Sequence, residues 1–395
     1  MFGQGHFKNK KDETMIKVRQ VLLCSAVPFF FLAVSCVREN SSRKQDIHVQ
    51  QMSGFPNQEF GYELGVSACY AGIIGNKLVM AGGCNFAGKS AAEGGAKYFY
   101  KGIYTAEITG DSVLVWKQVG ELPSPVAYGV SISRSGEMIL IGGNNADGGL
   151  TSVFRLKLAE DGGAILDTLP SLPFALDNMS GAASGNTIYV AGGNRNGSPS
   201  TSMLSLNLDE PELGWKEEVP FPGAARVQPV CAVQDGMLYL WGGFCPSQNG
   251  GEASVATDGY RYLPLQERWE PVPAPAVAET GEPLTLTGGT SCVWSDSIIL
   301  CTGGVDKDIF LDAISGDYKR IAKEDYLLQP VAWYRFNGRL MAYNTRRNHW
   351  EEWEESACLA RAGAALLGKG QQLFIVGGEL KPGIRTAEIS RITIK

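Results

Sequence analysis

Leu78-Val79-Met80-Ala81-Gly82-Gly83 is a short apolar strand that runs straight into two glycines, and the chain repeats this arrangement five more times. Ile139-Leu140-Ile141 leads to Gly142-Gly143, and Leu373-Phe374-Ile375-Val376 leads to Gly377-Gly378. Between them stand Gly192-Gly193, Gly242-Gly243 and Gly303-Gly304. Successive first glycines lie 60, 50, 50, 61 and 74 residues apart. A strand that recurs at such a period marks a repeat architecture in which each unit must bury its apolar face against its neighbours. Six such units predict a ring of six small sheets.

The period and the diglycine resemble the kelch pattern, so the expected fold class is all-β: a six-bladed kelch-type β-propeller with four antiparallel strands per blade. The strand before each diglycine is the second of its blade. A small-residue strand precedes it, as in Tyr128-Gly129-Val130-Ser131-Ile132-Ser133 or Val230-Cys231-Ala232-Val233. A fourth strand follows, often with a tryptophan and a proline-containing link: Trp116 before Leu122-Pro123, Trp215 before Val219-Pro220, Trp269 before Val272-Pro273. Blade-to-blade packing, rather than sugar stacking, is the simpler role for these tryptophans. The second unit has Ile165 in that place. The last unit runs out of chain after its third strand, so Ile47-His48-Val49-Gln50-Gln51-Met52 is expected to supply the fourth. That pairing would close the ring and remove two open sheet edges.

Composition agrees with one large β-domain. The 49 glycines and 19 prolines are too many for a helical protein, while 44% hydrophobic and 10% aromatic residues are too many for a disordered one. With 35 basic and 41 acidic residues the net charge is -6, and no basic stripe interleaved with aromatics occurs, so nucleic acid is excluded as a partner. Residues 1–36 read as a secretory signal. Lys17 and Arg19 precede the apolar run Val21 to Val34, which is too short for a membrane span, and Ala33-Val34-Ser35-Cys36 resembles a bacterial lipobox. Lipidation at Cys36, a tether over 37–46 and the propeller over 47–395 would make an exported, periplasmic lipoprotein that touches the membrane only through its anchor. The other seven cysteines contain no CxxC and are read as small buried hydrophobes, with Cys292 and Cys301 able to face each other across a hairpin.

In antiparallel blades the loops after each diglycine and the links between blades emerge on one face, where a ligand site is expected. Two of these loops are enlarged: Cys84 to Tyr100, and the segment from Gly304 to about Tyr343. Fourteen residues before the diglycine, successive units carry Tyr128, Asn178 and Gln228; sixteen before it, Arg226 and Arg361 match. These polar positions at the mouth fit either a binding funnel or a water-filled channel.

The last blade carries Gly378-Glu379-Leu380-Lys381-Pro382-Gly383-Ile384-Arg385-Thr386 in its ligand-face loop. This segment resembles a motif of the bacterial N-acetylneuraminate mutarotases, kelch enzymes that interconvert anomers of free sialic acid. Gly303-Gly304-Val305-Asp306-Lys307-Asp308-Ile309-Phe310 is similar to a second family segment, with Asp306 where Asn is usual. Pro222-Gly223-Ala224-Ala225-Arg226-Val227-Gln228 and Ala127-Tyr128-Gly129-Val130-Ser131 resemble two more, and Gly82-Gly83-Cys84-Asn85-Phe86 a branch-specific insertion. The blades are cyclically rotated relative to the enterobacterial order, as in the cyclically permuted mutarotase family.

The resemblance implies a sugar acid as substrate, isomerase activity and no cofactor. Mutarotation opens a hemiketal with one base and one acid, and the substrate's carboxylate invites a planar guanidinium. By resemblance Glu379 transfers the proton and Arg385 holds the carboxylate or polarises the substrate. Lys381, Arg226 and Gln228 would add contacts, and Asn85 and Asp306 would line the walls. On residue chemistry alone, Glu379 and Arg385 read first as an ion pair that fixes the loop, with Pro382-Gly383 making the turn. The alternative function is a non-catalytic lipoprotein that binds a glycan or a protein. A copper-radical oxidase is excluded, because only His48 and His349 remain beyond the leader and copper needs paired imidazoles. No other metal site is expected.

Overall fold

The structure is a computed structural model that describes residues 45–247 and 251–395. The signal sequence, Cys36 and the tether up to residue 44 lie outside the described residues. Six four-stranded antiparallel sheets form the body. Blade 1 comprises Tyr70–Ile74, Lys77–Ala81, Gly102–Glu107 and Lys117–Glu121, and blade 2 comprises Val130–Arg134, Glu137–Ile141, Val153–Leu158 and Ala164–Thr168. Blade 3 is Ser180–Ser184, Thr187–Ala191, Met203–Asn207 and Lys216–Glu217; blade 4 is Val230–Gln234, Met237–Trp241, Gly259–Leu263 and Arg268–Val272. Blade 5 is Thr290–Ser295, Ile298–Thr302, Arg339–Asn344 and His349–Glu355. Blade 6 takes Ala365–Lys369, Gln372–Val376 and Ile389–Ile394 from the C-terminus, and its fourth strand is Ile47–Met52, paired from Ile47 opposite Ile394 to Met52 opposite Ile389.

Past their first residue the second strands are almost wholly apolar, because both of their faces are buried there. In blade 1, Leu78 and Met80 pack against Phe374 and Val376 of blade 6, while Val79 and Ala81 pack against Met138 and Leu140 of blade 2. The same alternation gives one apolar cluster between each pair of neighbours, including blades 6 and 1, and the innermost strands touch in the cyclic order 1 to 6 and back to 1. The ring is closed.

The diglycines explain themselves at these interfaces. Gly82 and Gly83 both have positive φ, 64° and 97°, and so do all five other pairs. The Gly83 N–H donates to the Val126 carbonyl in the link to the next blade at 2.8 Å, and a Cβ on Gly82 would stand 2.5 Å from that same oxygen. Gly378 makes the equivalent bond to Val66 at 2.8 Å, across the closure between blades 6 and 1. Side chains would block both the turn and the approach.

Tryptophans add a second tie between blades. Trp116, Trp215, Trp269 and Trp350 each donate an indole N–H to a carbonyl of the preceding blade's link, at Gly54, Pro170, Val219 and Pro273, over 2.8–3.2 Å. In blade 2 the expected substitute, Ile165, points outward and is 44% exposed; the neighbouring Leu166 packs inward instead, since adjacent strand residues face opposite ways. The seven cysteines are free. Cys292 pairs with Leu300 and Cys301 with Ser291, so the two thiols are not cross-strand partners. Of these seven, Cys84, Cys231 and Cys301 are buried and the other four are partly buried.

Candidate functional site

At the mouth of the ring the chain enters each inner strand through one residue in the left-handed region: Ala68 (φ 54°), Tyr128 (60°), Asn178 (53°), Gln228 (51°), Gly288 (71°) and Gly363 (61°). This kink turns each N–H toward the preceding blade. Tyr128 donates to Ala68, Asn178 to Tyr128, Gln228 to Asn178, Gly288 to Gln228, Gly363 to Gly288, and Ala68 back to Gly363, over 2.6–3.1 Å. A closed circle of six backbone hydrogen bonds therefore frames the opening of a central channel. Of the side chains it presents, Tyr128, Asn178 and Gln228 are polar and lie on consecutive blades. The Gln228 amide donates to Asn178 Oδ1 at 2.8 Å, and Asn178 in turn donates to Asp177.

The hairpin of blade 6, Glu379–Lys381 paired with Ile384–Arg385, stands beside this mouth. Arg385 Nη1 meets Glu379 Oε1 at 2.8 Å, and the same oxygen accepts the Gly383 N–H at 2.7 Å. Arg385 Nε donates to Ser67 Oγ at 3.0 Å, with the guanidinium 5.1 Å from the Phe86 ring centre. Among the described residues no oxygen or nitrogen bonds Glu379 Oε2 or Arg385 Nη2, and the Cys84 thiol lies close to the guanidinium. Burial opposes the Arg385 charge, but Glu379, Tyr128 and Cys84 outweigh it and raise its pKa. The pair thus fixes one oxygen and two nitrogens and leaves one of each kind for a ligand.

Both enlarged loops flank this hairpin. The blade 1 insertion brings Phe86 over Arg385 and Ala91 against Gly383, where a Cβ would approach to 2.7 Å. The blade 5 insertion is helical: Lys307–Ser315 and Lys323–Tyr326, then a 3-10 turn Val331–Tyr334, around a small core of Ile309, Tyr326 and Tyr334. Lys381 ties the hairpin to it by donating to the Leu327 and Gln329 carbonyls at 3.0 and 2.6 Å. Burial and then Glu379 push the Tyr334 phenol up to about 12. Burial, with Cys84 and Glu379, pushes Tyr128 well up, and Arg385 pulls it the other way.

The other expected site residues are placed differently. Arg226 is buried, donates to the Ala224 and Gly242 carbonyls at 3.0 and 3.1 Å, and grips Asp258 with two nitrogens. Arg361 donates to the Gly377 and Glu388 carbonyls at 3.0 and 2.7 Å and to one Glu388 carboxylate oxygen at 3.1 Å. Tyr62, Tyr70 and Asn337 likewise bond the first-glycine carbonyls Gly82, Gly142 and Gly303. Arg226 and Arg361 are therefore staples of the diglycine turns, and their guanidiniums do not reach the mouth. Asn85 is buried behind the wall: its amide donates to Gly61 and Gly65 at 2.7 and 2.9 Å and accepts from Tyr100 at 2.8 Å. Asp306 caps the helix Lys307–Ser315 by accepting from Asp308 and Ile309 and pairs with Arg335 at 2.8 Å. Lys381 positions the hairpin. Cys84, Phe86, Lys97 and Tyr334 join the site with no signal beyond the two enlarged loops that carry them and the resemblance of the Cys84-Asn85-Phe86 segment, and Ser67 joins it with none. Among the described residues no three His, Cys, Asp or Glu side chains converge as a metal would require.

A propeller with a buried arginine paired to a partly exposed glutamate beside a polar ring mouth defines a small-ligand site, and comparison with known proteins gives the family. The chain belongs to the N-acetylneuraminate epimerase family, whose model matches residues 32–165 and 169–395. It is 33% identical over 228 residues to the N-acetylneuraminate epimerase of Haemophilus influenzae (strain PittEE), covering 56% of this chain and 58% of that protein. It is 33% identical over 232 residues to that of Salmonella arizonae, and 31% over 230 residues to that of Salmonella enteritidis PT4, covering 57% of this chain and 58% of each relative. These alignments thus span little more than half the length of the relatives.

Proposed function

We propose that this protein is a sialic acid mutarotase that interconverts the anomers of free N-acetylneuraminate. The observation that carries the reading is the pairing of Glu379 with Arg385, which holds one carboxylate oxygen in place and leaves Oε2 and Nη2 uncommitted at the mouth. Arg385 Nη2 is suited to the substrate carboxylate, because a planar guanidinium donates in a fixed direction. Glu379 Oε2 is suited to the anomeric hydroxyl, whose proton must leave for the ring to open. The names of the relatives support the same substrate, and the two-segment family match with partial alignments accords with a rotated blade order, which leaves every blade its neighbours.

The location proposed with it is the periplasm, with a lipid anchor at Cys36. No helix among the described residues is long and apolar enough to cross a membrane. Polarimetry of freshly dissolved sugar tests the activity: the protein should speed the approach to anomeric equilibrium. Saturable binding of the sugar at the spontaneous rate would instead make the protein a glycan binder.

A further inference from the structure

Opening a hemiketal needs an acid for the ring oxygen as well as a base for the hydroxyl. The charged groups around the hairpin do not supply one. Arg385 does not give up its proton at any working pH. Lys381 is held by the Leu327 and Gln329 carbonyls. Lys97 reaches the site, and its ammonium donates to the Tyr128 phenol oxygen at 2.8 Å.

Tyr128 has the missing property. Its oxygen accepts from Lys97 and lies 3.5 Å from Cys84 Sγ, and among the described residues no oxygen or nitrogen accepts its hydrogen, which leaves it only the weakly accepting sulfur. Other buried phenols in this chain donate inward: Tyr62 to Gly82, Tyr70 to Gly142, Tyr104 to Glu59 and Tyr262 to Glu218. Tyr239 also lacks a partner, but it is sealed in the core between blades 4 and 5. Tyr128 stands half-buried on the ring mouth, and its oxygen is 3.5 Å from Cys84, whose backbone pairs with Ser67, the residue that Arg385 bonds at 3.0 Å. Its backbone adds an independent pointer. A bulky residue at φ 60° is strained, and two of the six equivalent positions are glycine and one is asparagine, which tolerate that conformation.

Resting on the mutarotase reading, we propose that Tyr128 is the general acid paired with Glu379, and that Lys97 stabilises the phenolate formed when it acts. On opening, Glu379 Oε2 takes the anomeric hydroxyl proton and that O–H electron pair forms the carbonyl. The bond from the anomeric carbon to the ring oxygen breaks, its electron pair stays on that oxygen, and the oxygen takes the Tyr128 proton. An alkoxide is a stronger base than a phenolate, so the transfer runs downhill. After rotation about the bond next to the carbonyl, the phenolate removes the proton from the hydroxyl, the oxygen adds to the other carbonyl face, and protonated Glu379 returns its proton to the carbonyl oxygen. Both residues end as they began.

The test is proton NMR of α-anomeric N-acetylneuraminate with wild type, Tyr128→Phe and Lys97→Met, giving kcat, KM and sugar binding for each. Tyr128→Phe should lower kcat by about 100-fold or more, with KM within a few-fold of wild type. Lys97→Met, a change on an exposed loop, should lower kcat by several-fold and remains decisive if Tyr128→Phe does not fold. Wild-type kcat in either folded variant overturns the proposal while leaving the mutarotase reading intact. A wild-type protein that does not accelerate mutarotation overturns both.

Discussion

Arg226 commits its nitrogens to a single turn, two carbonyls and both oxygens of Asp258, and this predicts a stability role rather than a binding one. Arg226→Met leaves the Ala224 and Gly242 carbonyls without their donor and Asp258 without its cation, at a cost of about 1–3 kcal/mol in chemical denaturation, with kcat per folded molecule unchanged. The pair also sets an acid limit. Burial raises the Asp258 pKa, but the hydrogen bonds and charge of Arg226 more than offset this and hold it below the usual aspartate value. A carboxyl with a depressed folded pKa stabilises above its unfolded pKa, near about 4, and loses that contribution as pH falls through the folded value. Asp258→Asn should flatten the stability loss below about pH 4. At this scale the sequence was legible in part. Glu379 and Arg385, six residues apart in one hairpin, do meet. Asn85 and Asp306 have the chemistry of a binding wall, yet they serve Gly61, Gly65 and a helix end. Residue type and loop position are visible in a sequence, but the direction of a side chain is decided by which buried backbone groups need a partner.

At the scale of elements, the diglycine strands were readable because their burial on both faces and their positive φ leave few residue choices. Gly378 has φ 101°, and a Cβ there would stand 2.8 Å from that of Ala364. Gly378→Ala should therefore cost about 2 kcal/mol or more, read as a fall in Tm. The closing strand was legible from the missing fourth strand of the last blade. Deleting residues up to Met52 would bare the edge of Ile389–Ile394, and size-exclusion chromatography should then show association or aggregation in place of the intact species. The blade 5 insertion was read only as a long loop. Its helix had signals, with Asp306 as N-cap and Gly316 as the left-handed stop, but nine residues among β-repeats give a weak period.

The whole molecule is held by six equivalent interfaces and a circle of six backbone hydrogen bonds, with no blade at an end. Its described ends are also joined, since the Lys395 N–H donates to the Asp46 carbonyl at 3.0 Å. A permutant with a short linker across these ends and new termini at the exposed turn of Asp161 and Gly162 should fold with near-normal Tm and retain the activity. The circle is what makes the site: it brings Tyr128 of blade 2 beside a hairpin more than two hundred residues away, a proximity that only closure between blades 6 and 1 provides.

The most direct test of the central claim is one-dimensional proton NMR of α-anomeric N-acetylneuraminate, comparing no protein, wild type and Glu379→Gln, with calorimetric binding of the sugar to both proteins. The account expects wild type to hasten anomeric equilibration, and Glu379→Gln to bind the sugar while equilibration proceeds at the spontaneous rate. Equal acceleration by both proteins would contradict the role given to Glu379, and no acceleration by wild type would contradict the mutarotase reading itself.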